Sequence, residues 1–160
     1  MTARRLRNGT VALDATDARI LRELASDARI ATSELARRIG LSAPSIGDRI
    51  RRLEEIGVIR AYRAVITPSA IGLPISAYLR IRPVPGAFDT VADIVRDSPE
   101  IVECDRVTGD DCFFAKAHVR SMAHLEGLVD RMNGHASTHT SIVQSSPVTL
   151  RLPPLPGMDE

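Results

Sequence analysis

Two short stretches of the chain carry side chains able to do chemistry. The first is "LSAPSIGDRIRRL", Leu41 to Leu53, which sets Arg49, Arg51 and Arg52 within four residues. A guanidinium can grip a phosphate or bond a guanine edge through two parallel N–H groups, so three along one helix suit a nucleic acid. Ser42 and Ser45 add small hydroxyls to the run, and Asp48 sets a carboxylate among the arginines. Asp48 can accept from a cytosine amino group, tether Arg51 or Arg52 at helical spacing, or repel the duplex. We favour the tether or the base contact, with Arg49 and Arg52 supplying most of the affinity. The second stretch is "TGDDCFF", Thr108 to Phe114. Gly109 permits a tight turn whose backbone N–H groups can hold a carboxylate, while Asp110 or Asp111 can pair with an ammonium. Those are the two charged ends of an amino acid, although a Gly-Asp pair is also ordinary hairpin-turn chemistry.

Other reactive residue types form no pattern. His118, His124, His135 and His139 match no metal-ligand spacing, and Cys104 and Cys112 make no CxxC, so no metal, disulfide or cofactor is expected. The cysteines are read as packing residues, and no catalytic residue is assigned.

The elements that must position these groups follow from hydrophobic spacing. "LDATDARILRELASDAR" places Ile20, Leu21 and Leu24 on one helical face, with Asp14 and Asp17 near the positive end of the helix dipole. "IATSELARRIGLS" repeats the pattern, with Thr32 as a cap, Leu35, Ala36 and Ile39 as the buried stripe, and Gly40 as the stop. In the third segment Ser42 sits where a cap belongs, Pro44 falls in the first turn, and Ile46, Ile50 and Leu53 form the inward stripe. Three short helices with a Gly-containing turn predict a helix-turn-helix, whose second paired helix enters the major groove. A solvated face on a three-helix bundle is the plainer alternative for the arginines. Gly47 costs about 1 kcal/mol against alanine in an isolated helix, which the packed stripe can absorb.

Beyond a strand-like run at Tyr62–Ile66, broken by Pro68, the period changes to two. "ISAYLRIR" reads as a strand and "GAFDTVADIVRDSPE" as a helix; two strands follow around Gly109 and Asp110. "SMAHLEGLVDRMNG" is a second helix, carrying Met122, Leu125, Val129 and Met132, and "STHTSIVQSSPVTL" a last strand. The order β-α-β-β-α-β predicts a ferredoxin-like sheet with both helices on one face. The strands look apolar at nearly every position, so the other face should be buried against a second copy, giving at least a dimer. The whole is an α+β chain: a tail over 1–12, a winged-helix-like helix-turn-helix over 13–60, and a linker with a short strand over 61–74. A ferredoxin-like unit over 75–150 and a tail over 151–160 complete it.

Composition agrees with a basic module joined to an acidic one. The 160 residues are 44% hydrophobic with net charge +1, yet residues 1–63 hold 13 arginines against 8 acids and residues 64–160 hold 8 basic residues against 12 acids. No apolar run reaches the roughly 18 residues that span a bilayer, and the N-terminus lacks the apolar block of a secretion signal, so a cytoplasmic protein without a membrane partner is expected.

The run "LDATDARILRELASDARIATSELARRIGLS", then "RIRRLEEIGVIRAYRAVITPSAIG", "VTGDDCFFAKAHV" and "THTSIV", resembles the feast/famine family of leucine-responsive and asparagine regulators from about Leu13 to Thr149. The resemblance implies a DNA-binding transcription factor whose dimers assemble into octamers. It also implies that an amino acid or related metabolite, bound between dimers, alters DNA binding or assembly. By position it carries the effector site onto Thr108, Gly109, Asp110 and Asp111, and onto Thr138 and Thr140, with His139 between them. Most relatives have an aromatic residue and then an aspartate where this chain has Asp111 and Cys112. Two other functions share the fold: a protein that wraps DNA with little sequence preference, and a tetrapyrrole decarboxylase. The acidic C-terminal half counts against the second, whose substrate carries several carboxylates.

Overall fold

A computed structural model describes residues 12–155, and these divide into two compact units. One holds residues 12–64 together with 148–155, the other Val65–Pro147. Apart from Ala12, the tail expected over 1–12 lies outside the described residues, as do residues 156–160.

The first unit is built on α1 (Ala15–Ser26), α2 (Thr32–Ile39) and α3 (Ala43–Glu55). Helix α1 starts at a reciprocal cap: the Asp14 carboxylate accepts from the Asp17 backbone N–H at 2.7 Å, and the Asp17 carboxylate from that of Asp14 at 3.3 Å. Each side chain thereby satisfies a donor that a helix start leaves orphaned. Helix α2 differs from expectation. Ala31, not Thr32, is its cap, and no side chain bonds there, because Thr32 already lies within the first turn. Gly40 adopts φ 84°, the left-handed conformation that ends α2 and turns the chain into α3. Ser42 then caps α3, its hydroxyl accepting from the Ser45 N–H at 3.4 Å. Ile20, Leu35, Ile46 and Leu53 are fully buried where the three helices meet, and Ile50 packs beside them. Leu155, in the segment expected as a tail from 151, is partly buried and packs against this core.

Residues 60–67 form no strand. The β-branched residues there favour extended backbone, but a strand also needs a ladder partner, and Val65 and Ile66 stand 90% and 59% exposed. A single 3₁₀ turn, Pro68–Ile71, follows.

The second unit runs β1 (Ile75–Pro83), α4 (Phe88–Asp97), β2 (Ile101–Arg106), β3 (Phe113–Val119), α5 (Met122–Asp130) and β4 (Ala136–Ile142). The sheet order is β2-β3-β1-β4, and every neighbouring pair is antiparallel. Ala77, Leu79 and Ile81 of β1 and Phe113, Ala115, Ala117 and Val119 of β3 share one core with Val91, Val95, Leu125, Leu128 and Met132. Leu128 joins Leu125 as an inward residue of α5, whereas Met122 is 47% exposed.

The opposite sheet face corrects the expected second apolar layer. Strand alternation sends the small and aliphatic residues of "ISAYLRI" and "FFAKAHV" to the core and leaves Ser76, Tyr78, Arg80, Arg82, Phe114, Lys116 and His118 on the other side. That face is knit by polar contacts. Ser76 Oγ lies 2.8 Å from His118 Nδ1, and the Lys116 ammonium stands over the Tyr78 ring. Burial, helped by the Lys116 charge, holds the His118 imidazole below its usual pKa. Beside α5, away from that face, Glu100 takes His124 Nε2 at 2.8 Å and Arg131 Nη2 at 2.6 Å. Burial alone would raise the Glu100 carboxyl, but its backbone N–H, His124 and Arg131 outweigh that and hold it at about 2. Among the described residues no helix is long and apolar enough to cross a membrane.

Candidate functional site

Helix α3 presents an outward face whose composition is narrower than its sequence implies. Ile46 and Leu53 point to the core, so Pro44, Asp48 and Arg51 fall on the exposed side. The three arginines are not equivalent. Arg49 Nη1 donates to Asp14 Oδ2 at 2.7 Å and to Asp17 Oδ1 at 2.8 Å, and its side chain is only 30% exposed. Arg52 donates from Nη1 to Asp17 Oδ2 at 3.0 Å and from Nη2 to the Ala12 carbonyl at 3.2 Å. The Asp17 side chain is 1% exposed, so these two arginines supply the countercharge for a buried carboxylate. The bond from the Asp17 backbone, then Arg49, draws the Asp14 carboxyl below the usual carboxylate range; Asp14 and Asp17 in turn raise the Arg49 guanidinium.

Arg51 pairs with Asp48 one turn away on the exposed face, which is one of the tethers open to Asp48. Both remain largely solvent-accessible, at 65% and 70%. Ser42 and Ser45 lie at the start of the same helix, with the Ser42 oxygen engaged in the cap. Elsewhere in the unit Arg19 donates to the Ile39 and Arg38 carbonyls at the end of α2, and Arg37 and Arg38 both pair with Glu34. Those two bonds hold the Glu34 carboxyl at about 2. Arg60 and Arg63, just beyond α3, are exposed and enter no ion pair among the described residues. They stand outside the helix, and the "RAYR" spacing is the sequence signal that sets them three residues apart.

The second candidate lies on the sheet. A hollow of about 270 Å³ is lined by Arg80, Arg82, Asp111, Ser137, Thr138 and His139. Strand β1 supplies the two arginines, the β2–β3 turn the aspartate, and β4 the rest. The register pairs Arg80 with His139 and Arg82 with Ser137, which puts those four residues on one sheet face. Asp111 Oδ2 is 3.7 Å from Arg80 Nη1 and Asp111 Oδ1 is 3.5 Å from Arg82 Nε, while Asp110 is 3.5 Å from Arg82 Nη2.

Of the residues proposed for the effector, Asp111 and His139 come together here; Thr138 borders the hollow, although its register partner Ile81 lies on the helix-facing side. Thr108, Gly109 and Asp110 stand exposed at the turn beside it, with Gly109 at φ 112°, a conformation that disfavours any side chain. Thr140 is separated from His139 by strand alternation. It pairs with Leu79, on the helix-facing side, and lines a different, apolar hollow with Met122, Leu125, Val129 and Ile142. Arg80 and Arg82 were missed, although charges at alternate positions in "YLRIR" mark residues that share one face. Cys104 and Cys112 are free, partly buried and packed against the core.

Comparison with known proteins gives matches over nearly the same span. A family model described as a winged helix-turn-helix DNA-binding domain matches residues 13–60, and one described as an Lrp/AsnC ligand binding domain matches residues 76–152. The chain is 38% identical to the HTH-type transcriptional regulator LrpA of Mycobacterium tuberculosis, over 81% of this chain and 87% of that one. Among solved structures, Bacillus subtilis LrpC superposes with a TM-score of 0.83 at 29% identity, covering 88% of this chain and all of the other (100%). A transcriptional regulator of Neisseria meningitidis in complex with L-methionine superposes with a TM-score of 0.84 at 27% identity, covering 91% and 98%.

Proposed function

The chain belongs to the Lrp/AsnC family of DNA-binding transcriptional regulators, and from that premise we propose how its parts divide the work. Helix α3 reads DNA with Ser45, Asp48 and Arg51, Ser42 standing at its N-terminal edge. Arg49 serves as a positioning residue that fixes α1 against α3, and Arg52 shares that task while its remaining N–H groups face solvent. The observation that carries this reading is the pairing of Arg49 and Arg52 with buried Asp17, set against the exposure of Arg51 and Asp48. Arg60 and Arg63 add phosphate contacts beside the helix.

The effector is an amino acid or related metabolite held at the sheet hollow and the Thr108–Asp111 turn. The methionine complex of the Neisseria relative supports that ligand class. Two copies pair in solution and assemble further, toward an octamer, with the polar sheet face and the exposed Tyr62–Ile66 segment as the surfaces to be covered. The protein acts in the cytoplasm as a regulator and carries no catalytic residues; the names of its relatives support that reading.

Arg51→Ala is expected to weaken binding to a target duplex several-fold in a gel shift and to reduce the salt dependence by about one counterion, because one phosphate-range cation is lost. Unchanged affinity and slope would remove Arg51 from the interface. Asp48→Ala should alter the ranking of target sequences more than it alters affinity for random duplex, since it frees Arg51 and deletes a possible cytosine acceptor. Footprinting against excess random DNA separates this reading from sequence-indifferent wrapping, which leaves no protected site.

A further inference from the structure

We propose that Gly47 is a specificity-determining residue of α3, its bare Cα seating the 5-methyl group of a thymine in the major groove beside the base that Arg51 reads. This rests on the reading of α3 as the DNA-reading helix and adds to it the identity of one base.

The fold itself makes no demand for a glycine at this position. Gly47 lies in the interior of α3 with helical backbone, not in the left-handed conformation of Gly40 or Gly57. A Cβ placed there would meet no atom within 4 Å beyond its chain neighbours and its own helix backbone, so the core does not crowd a side chain out. Alanine would therefore fit, and it would strengthen the helix, since glycine is among the poorest residues in a helix interior. What a bare Cα does provide is close approach of another molecule to the backbone.

The position on the helix identifies that molecule. With Ile46 and Leu53 directed inward, steps of about 100° per residue put Gly47 on the flank of the outward face, beside Pro44 one turn before it and Arg51 one turn after. Pro44 and Arg51 are both exposed. Gly47 offers neither donor nor acceptor, because its N–H and C=O are engaged in the α3 ladder. On the floor of the major groove adenine, guanine and cytosine present only hydrogen-bonding groups, which an apolar contact would strip of water without a replacement bond. The thymine methyl is the one apolar group there. Seated on the Gly47 Cα, between the Pro44 ring and the aliphatic stem of Arg51, that methyl is buried at no loss of a hydrogen bond. A side chain at residue 47 would stand where the methyl has to go.

A duplex selected from a random library by the full-length protein supplies the probe, and its thymines are replaced one at a time by deoxyuridine, which deletes only the methyl. At one thymine the replacement is expected to weaken binding about fourfold, the contribution of one buried methyl. Gly47→Ala should melt a few degrees above the parent. It should also erase or reverse the preference at that thymine, because the new Cβ fills the space that uracil leaves and collides with the thymine methyl. Equal binding of the thymine and deoxyuridine duplexes at every position, or a selected duplex with no thymine in the protected site, overturns the assignment. So does a thymine preference that Gly47→Ala leaves unchanged. In each of those cases a loss of binding in Arg51→Ala leaves α3 standing as the reader. If neither Arg51→Ala nor Gly47→Ala alters binding to any duplex, the reading of α3 fails with the proposal.

Discussion

Replacing Arg49 by alanine should cost the helical unit about 3 kcal/mol, at the low end of the ~3–5 kcal/mol seen when a buried ion pair loses one partner. The low end applies because Asp17 keeps part of its shell. Its Oδ2 still takes Arg52 at 3.0 Å and the Asp14 N–H, whereas its Oδ1 loses the Arg49 donor at 2.8 Å and stays almost wholly out of water. For a unit of this size each kcal/mol moves the melting temperature by roughly 4–8 °C, so a drop of about 10 °C or more is expected. Arg51→Ala, on the exposed face, should stay within about 0.5 kcal/mol of the parent. Thermal unfolding followed by circular dichroism, run beside DNA-binding assays on both variants, separates the roles. If Arg49→Ala melts like the parent and loses DNA binding, that arginine is a direct DNA contact and the positioning role is wrong.

The second large effect is acid sensitivity carried by Glu100. Its carboxyl lies at about 2 when folded against 4.5 as a free side chain. A group depressed on folding stabilises above its unfolded pKa, and that contribution is lost as pH falls from 4.5 through about 2. Taken at about 1.4 kcal/mol per pH unit the difference would exceed 3 kcal/mol, but Arg131 is partly solvated, so about 1–2 kcal/mol is the expected share. Glu100→Gln should accordingly unfold in less urea than the parent at pH 7, with the gap closing between pH 4.5 and 2. A gap that persists unchanged at pH 2.5 would show that packing, not charge, sets the cost.

The sequence exposed most of the architecture because its signals were periodic and punctuated. Gly40, Ser42 and Pro44 mark the turn and the start of α3 by backbone chemistry alone, and the β-α-β-β-α-β order follows from changes of period. What stayed hidden were relations between distant residues. Nothing in "RIRR" says that Arg49 and Arg52 face Asp14 and Asp17, some 35 residues earlier, rather than solvent. The same limit applied to "FFAKAHV". Its apolar content was legible, but the alternation that gives Ala115 and Ala117 to the core and Phe114 and Lys116 to the other face needed the register with β1. Thr138, His139 and Thr140 looked like one patch in sequence, and the pleat divides them.

The packing of Leu155 among the helices of the first unit changes how the chain is parsed. The sheet unit is an insertion, entered near residue 64 and left near residue 148, so two peptide crossings join the units. A single proteolytic nick at the first crossing would free residues 12–64 covalently while Leu155 still packed against them, and a shortened chain ending before Leu155 would lose that contact. Cutting the gene after the third helix therefore removes a piece of the helical unit's own core along with the sheet.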